Sequence, residues 1–552
     1  MTDKIKIALA QINPKLGDVA GNVARINAAR AAAATGGADL VLAPELVVSG
    51  YPPEDLVLKP AFQDACRKGV EQLARETADG GPAVIVGAPW MEEGKLHNAA
   101  FLLGEGKILA KRFKYDLPNY GVFDEKRVFV PGPLPEPVEF NGLKLGLMIC
   151  EDLWFATTSG HLKKKGAELL LVPNGSPYDH DKPNQRFEIA GARQDETDLP
   201  IVYLNQMGGQ DELVFDGDSF VMDRGKAIKA RLPAFEEKIA ITQWQRGNEG
   251  WMCLPGDVAQ PLAPLESIYR AMVLGLSDYV RKNGFPGVLL GLSGGIDSAL
   301  SAAVAVDALG PDKVHAVMMP SPYTSHDSLE DAAACAKLLG ISYDIVSIEP
   351  AMKAFEAMLA GVFAGRQQDT TEENIQSRAR GVTLMAMSNK LGHMLLTTGN
   401  KSEMSVGYAT LYGDMCGGYS VLKDIYKMTV FALCRWRNAH MPAGLAGPGG
   451  LVMPERVITK PPSAELKPDQ TDQDTLPPYD VLDGILTCLV EEEMAVDQIV
   501  AKGYDRATVL RVWRMLDLAE YKRRQAPPGV KISRRAFGKD RRYPITNGFR
   551  PQ

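Results

Sequence analysis

Cysteine is scarce in this chain, with seven residues in 552, an odd number and no Cys-x-x-Cys pair. That excludes a disulfide framework and a zinc ribbon, and it fits a reducing cytoplasm. No apolar run approaches the roughly 18 residues that a membrane-spanning helix needs. The opening Met-Thr-Asp-Lys-Ile-Lys carries charge where a signal peptide has its apolar core, so no export is expected. Positive charge is not in excess either. Lys and Arg number 61 against 68 Asp and Glu, a net charge of −7, which argues against nucleic-acid binding by the whole molecule. There is no internal repeat, and the two halves do not resemble each other. No Gly-Lys-Ser/Thr follows a glycine loop, which excludes a Walker A motif. No Gly-x-Cys-x-Gly elbow exists, because Asp414 stands at the first glycine position before Cys416, and position 2 is not cysteine.

What is present is an ordinary globular composition, 45% hydrophobic and 23% charged, in a chain long enough for two to four domains. Apolar strands at about 5–11, 39–45, 84–87, 99–103, 143–150, 169–173 and 201–204 alternate with helical segments. That pattern predicts a layered α/β domain over 1–245. Residues 246–264 are rich in Gly and Pro and read as a linker. A second α/β domain is expected over 265–552, with strands near 288–290, 314–319, 343–348 and 394–398. Prolines recur between 442 and 478, which predicts an irregular loop, of a length that is usually functional or disordered. A helical region follows over 481–521.

The chain is organised around Gly291-Leu292-Ser293-Gly294-Gly295-Ile296-Asp297-Ser298, which follows a short apolar strand and opens an alanine-rich helix. Gly294 and Gly295 let backbone amides approach a phosphate chain closely. Ser293 and Ser298 add hydroxyls, and the helix N-terminus adds positive potential. Asp297 would be repelled by phosphate unless a cation lay between them, which argues for Mg²⁺ with ATP. The loop resembles the Ser-Gly-Gly-x-Asp-Ser pattern of the ATP pyrophosphatases. Members of that family split ATP between its α and β phosphates and adenylate a substrate.

A second chemistry is carried by Cys150, at the end of a strand and followed by Glu151-Asp152-Leu153-Trp154. A thiol with a pKa near ~8.5 needs a base before it is a nucleophile. A buried carboxylate can take the proton and an ammonium can stabilise the oxyanion; Glu45 and Lys114, in two other strand-end fragments, would supply these groups. The three fragments resemble the nitrilase, or carbon–nitrogen hydrolase, superfamily over residues 4–245. The resemblance implies an α-β-β-α sandwich, a Glu45–Lys114–Cys150 triad and amide hydrolysis through a thioester. It also matches Tyr120, Ser176 and Lys182 to positions that hold glutamine, and Glu151 would suit the substrate's α-ammonium.

Downstream, Thr397-Thr398-Gly399-Asn400-Lys401-Ser402-Glu403 is a strand running into a polar turn. Glu403 is a candidate second oxygen ligand for Mg²⁺ beside Asp297, and Thr398 sits at a strand's C-terminal end. Arg378 and Arg380 carry the positive charge that a polyanionic substrate requires, Asp414 follows in Tyr412-Gly413-Asp414, and nine Lys or Arg lie from Lys522 to Arg542. Such a basic run reads as a solvated tail or as an ordered lid over a pyrophosphate. These fragments resemble the NAD synthetases over residues 265–550, with a Rossmann-like parallel sheet. The whole chain therefore resembles the glutamine-dependent NAD⁺ synthetases. By that resemblance Gly291–Ser298 and Thr398 contact ATP, while Asn374, Arg378, Glu403, Asp414 and Lys522 belong to a deamido-NAD⁺ site. The implied substrates are L-glutamine, ATP and deamido-NAD⁺, with no nucleic acid or membrane partner and a homo-oligomer expected. Joining an ammonia producer to an ammonia consumer implies an enclosed passage between them.

Overall fold

The computed structural model describes residues 3–549 and divides the chain into two compact units, residues 1–263 and 264–552. Among the described residues no helix is long and apolar enough to cross a membrane.

Besides a small two-stranded sheet, Met207–Gln210 and Leu213–Asp216, the first unit is built on two large sheets. One has seven strands in the order Gly250–Cys253, Lys238–Gly247, Lys4–Gln11, Leu40–Leu42, Ala83–Glu92, Lys95–Gly104 and Lys107–Phe113. The other has six, ordered Ala227–Arg231, Phe220–Asp223, Ile201–Asn205, Leu169–Asn174, Leu143–Leu147 and Val138–Phe140. Strand alternation decides the layering. Ile7 and Leu9 pack inward with Leu145, Leu147, Leu169, Leu171 and Val202 from the facing sheet. Ala8 and Ala10 point the other way, onto Val23, Ile26, Ala33, Val70 and Leu73 of helices Val19–Thr35 and Pro60–Glu76. Leu162 and Ala190 of helices Ala156–Lys164 and Lys182–Thr197 cover Leu170, Val172 and Phe220 on the second sheet's outer face. The result is the expected α-β-β-α sandwich.

The expected linker 246–264 is in part sheet. Its Gly247 and Gly250 close a hairpin whose return strand buries Trp251 and Cys253, and Val258 bridges to Arg231. Two of its three glycines, Gly247 and Gly250, flank a hairpin turn, while Gly256 lies beyond the return strand. The segment before Lys114 is an edge strand, Lys107–Phe113.

The second unit holds a five-stranded sheet ordered Ser342–Ile345, Val314–Met318, Val288–Gly291, Met394–Thr397 and Tyr419–Ser420, parallel throughout. The first strand of this unit, Val288–Gly291, lies at the centre. The order reverses there, which opens a crevice at the carboxyl ends of its strands. Helices Tyr479–Leu486, Val496–Ala501 and Arg506–Leu518 form a separate apolar cluster. The proline-rich segment carries only a short helix, Glu455–Thr459, and one 3-10 turn, Asp472–Asp474.

Candidate active sites

In the first unit, Glu45 lies just past strand Leu40–Leu42, where a crossing strand must pass very close. A Cβ on Gly87 would sit 2.2 Å from the amide nitrogen of Leu46, so glycine is required there. Glu45 is buried, and its Oε1 accepts from Lys114 Nζ at 2.8 Å and from Asn98 Nδ2 at 2.8 Å. Its Oε2 accepts from the Gly175 amide at 2.8 Å. Lys114 is equally enclosed and donates also to Glu125 Oε1 at 2.9 Å, which Tyr51 reaches at 3.0 Å. Burial opposes the Lys114 charge, but Glu125 and Glu45 outweigh it and hold the ammonium firmly protonated. Burial pushes the Glu125 carboxyl up, against the pull of Lys114.

Cys150 follows strand Leu143–Leu147 and opens the 3-10 turn Cys150–Leu153 at φ +47°. Left-handed backbone at a residue with a side chain is strain that functional turns commonly hold. Burial, and then Glu45, push the thiol well above the ordinary range, with Lys114 opposing. A thiol so held is protonated at rest and depends on a base, and the Glu45 carboxylate is one of the charges acting on it.

The four expected glutamine contacts are placed as follows. Tyr120 donates to both Glu151 oxygens at 3.1 Å, and burial raises the Glu151 carboxyl. Ser176 donates its amide to Asn205 Oδ1 at 2.9 Å, and its hydroxyl accepts from Arg186 Nε at 3.2 Å. Lys182 lies over the Trp154 ring, 4.1 Å from its centroid. Burial lowers its ammonium pKa, while Asp179, Cys150 and Glu151 act the other way. Lys182 and Arg186 are one turn apart on the same helix.

In the second unit a cavity of about 310 Å³ opens at the end of the central strand. Gly291, Leu292, Ser293, Gly295, Ile296, Asp297, Ser298 and Thr398 line it. Gly294 is absent from that lining and is needed behind it. Its φ is +78°, and a Cβ there would lie 2.4 Å from the Ser328 carbonyl oxygen. Glu403 and Asp414 also line the cavity, with Arg380, Lys427, Lys460 and Asp472. Asn374, Arg378 and Lys522 are not among its lining residues. They gather on one loop instead. Asn374 accepts from the Thr410 hydroxyl at 2.9 Å, Arg378 donates to the Leu411 carbonyl at 3.2 Å, and Lys522 donates to the Gly407 and Ala409 carbonyls at 2.7 and 2.6 Å. The Thr410 amide in turn donates to Asp414 Oδ1 at 2.6 Å.

Asp297 and Glu403 meet on a single cation, the ammonium of Lys427. Lys427 Nζ lies 3.2 Å from Glu403 Oε1 and donates also to Asp297 Oδ2. Asn400 braces the pair, donating Nδ2 to Asp297 Oδ1 at 2.9 Å and accepting from the Glu403 amide at 3.0 Å. Burial pushes the Glu403 carboxyl up while Lys427 pulls it down. Two hard oxygen donors already turned to one positive centre are the donor set that Mg²⁺ requires, so these residues fit the ion.

Three comparisons bear on this chain. Residues 6–250 match the carbon-nitrogen hydrolase family and residues 250–526 match NAD synthase. The glutamine-dependent NAD(+) synthetase of Rhodobacter capsulatus is 51% identical over 552 residues, covering 100% of both chains. The chain belongs to the glutamine-dependent NAD⁺ synthetase family. Another member, from Acinetobacter baylyi, is 46% identical over 99% of each chain. A solved glutamine-dependent NAD⁺ synthetase from Acinetobacter baumannii, in complex with ADP, superposes with a TM-score of 0.79 at 43% identity, covering 99% of each chain.

Within this synthetase, sequence reasoning missed Glu125, which reads as solvated inside the charged run Asp124-Glu125-Lys126-Arg127. It missed Lys427 too, which has no motif around it, and Arg186. Arg186 is fully buried against Asp216, donating from Nη1 to both carboxylate oxygens at 2.8 Å and from Nη2 to the Ser176 carbonyl at 2.8 Å. Burial pushes the Asp216 carboxyl up to about 6 while Arg186 pulls it back. Arg186→Met leaves that carboxylate buried without its partner. The expected cost is about 3–5 kcal/mol, read by calorimetry as a fall of order 10 °C in the melting temperature of the first unit. Glutamine KM should rise as well, because Ser176 loses its support.

Proposed function

We propose that this chain makes NAD⁺ from deamido-NAD⁺, ATP and L-glutamine, with AMP, diphosphate and L-glutamate as the other products. Glu45 takes the Cys150 proton, and the thiolate attacks the glutamine amide carbon. Lys114 stabilises the oxyanion. Glu45 then delivers its proton to the departing nitrogen, ammonia leaves, and a thioester remains. Glu45 next activates water, which frees glutamate and restores the thiol. Glu151 with Tyr120, Ser176 and Lys182 would hold the amino acid's charged end.

In the second unit the nicotinate carboxylate resists ammonia, because it is anionic and its oxygen leaves poorly. Attack of that carboxylate on the α-phosphorus of ATP expels diphosphate and makes AMP the leaving group. Ammonia then adds to the activated carbonyl, and AMP departs. The amides and hydroxyls of 291–298 would cradle phosphate oxygens at the helix N-terminus, with Lys427 offering a further cation. Mg²⁺ held by Asp297 and Glu403 would neutralise the charge that phosphate builds beside these carboxylates. Making ammonia and using it within one chain would keep it neutral and locally concentrated.

The observation that carries this reading is that both constellations coexist in one chain, a buried Glu45–Lys114 pair acting on Cys150 and two carboxylates meeting beside the Ser-Gly-Gly loop. The test supplies ATP, Mg²⁺, glutamine and deamido-NAD⁺ together. NAD⁺, AMP and glutamate should form in equal amounts. AMP appearing without deamido-NAD⁺, or NAD⁺ formed from glutamine without at least an equal amount of glutamate, would overturn this reading.

A further inference from the structure

Two sequence fragments that must meet for glutamine hydrolysis are tied to each other by a side chain that touches neither reacting group. Asp152 lies two residues beyond the nucleophile and is buried. Its Oδ1 accepts from the Tyr115 amide at 3.0 Å and from the Asp116 amide at 2.8 Å. Its Oδ2 accepts from the Ile149 amide at 2.9 Å. These donors are the two residues immediately after Lys114 and the one immediately before Cys150. The Asp152 amide completes the turn by donating to the Ile149 carbonyl at 3.0 Å. This reciprocal pair closes around Cys150, whose φ of +47° needs an external restraint. On the other side, Lys114 is pinned through its own backbone, donating to the Asn98 carbonyl at 2.8 Å and accepting from the Gly132 amide at 2.8 Å.

We propose that Asp152 is a positioning residue for the glutaminase reaction, a three-amide clamp that sets the Cys150 thiol in register with the Lys114 ammonium. The inference rests on the reading of Cys150 as the glutamine nucleophile. Burial of a carboxylate is costly unless its lone pairs are used, and here they are used entirely on the backbone that flanks the two functional residues. Burial pushes the Asp152 carboxyl up to about 7, with the Asp116 and Ile149 amides pulling it down. Asparagine keeps the size of this side chain but has one accepting oxygen. Whichever way it turns, its NH₂ group faces at least one backbone N–H, so one arm of the clamp opens.

The test is the rate at which iodoacetamide alkylates Cys150, followed by peptide mass, with the number of alkylatable Cys150 thiols per chain counted at the end point. Asp152→Asn should slow the second-order rate constant roughly tenfold to a hundredfold, the effect expected of an ångström-scale misplacement. The end-point count should stay near one. A merely structural role would instead lower the count and leave the rate constant of the surviving sites unchanged, and that outcome overturns the proposal. Should Asp152→Asn fail to fold, Asp152→Glu carries the test, since it keeps the carboxylate but moves the clamp by one methylene. A folded Asp152→Glu with the parent rate constant overturns it equally. If alkylating Cys150 in the parent protein leaves glutamine hydrolysis intact, the nucleophile assignment fails and not the clamp alone.

Discussion

Cys150→Ala should abolish NAD⁺ synthesis from glutamine and leave synthesis from ammonium chloride within about twofold of the parent. Removal of a nucleophile takes away the covalent route, and losses of about 10⁴-fold or more are usual when that happens. The substitution is gentle on the fold. Cys150 is a small buried side chain at the head of a turn, and alanine carries the same left-handed backbone cost that cysteine already bears. Each unit has its own hydrophobic clusters, so the synthetase core does not draw on the Cys150 turn. Measuring both nitrogen sources on one preparation separates lost chemistry from lost protein. If both activities fall together, the division of labour between the two units is wrong.

The sandwich is legible because its strands contain short apolar runs broken by turn signals, and because large apolar side chains alternate at Ile5, Ile7 and Leu9 of Lys4–Gln11. Within the expected linker 246–264, residues 250–253 are strand instead, for a physical reason. Glycine marks a hairpin turn and a flexible linker alike, and only the pairing of Gly247 with Gly250 tells them apart. The proposed triad residues are marked by short local contexts, whereas the groups that support them are not. Asn98 lies 53 residues in sequence from Glu45, Glu125 lies 11 from Lys114, and Arg186 lies 10 from Ser176 and 30 from Asp216; burial, the property that gives them their role, is not a local signal. Lys427 is the clearest case. In sequence it is one lysine in Lys423-Asp424-Ile425-Tyr426-Lys427, and only folding brings it from 130 positions away to Asp297. The basic run 522–542 shows the opposite error of scale. Arg523 and Arg541 are committed to Glu520, and Lys531 to Asp540 at 3.0 Å, so charge counted along the chain overstates the charge on offer to a substrate.

Asp297→Asn should remove synthesis from either nitrogen source, by about 10³-fold or roughly 4 kcal/mol of barrier, and should remove AMP formation with it. Asp297 accepts from two donors at once, Asn400 Nδ2 on one oxygen and Lys427 Nζ on the other. Asparagine has only one accepting oxygen, so its own NH₂ must confront either Asn400 or the ammonium. The buried Lys427 then keeps Glu403 as its remaining close carboxylate, and a Mg²⁺ at this place would lose one of its two anionic ligands. Burial already opposes the Lys427 charge, with Asp297 the foremost group sustaining it. The change therefore weakens both cations that would meet the triphosphate. Glutamine hydrolysis to glutamate, assayed alone, should continue, because Glu45, Lys114 and Cys150 are untouched. AMP still formed at the parent rate by this variant would show that Asp297 does not hold the activating cation. Normal AMP formation with amide synthesis alone impaired would move its role from carboxylate activation to the capture of ammonia.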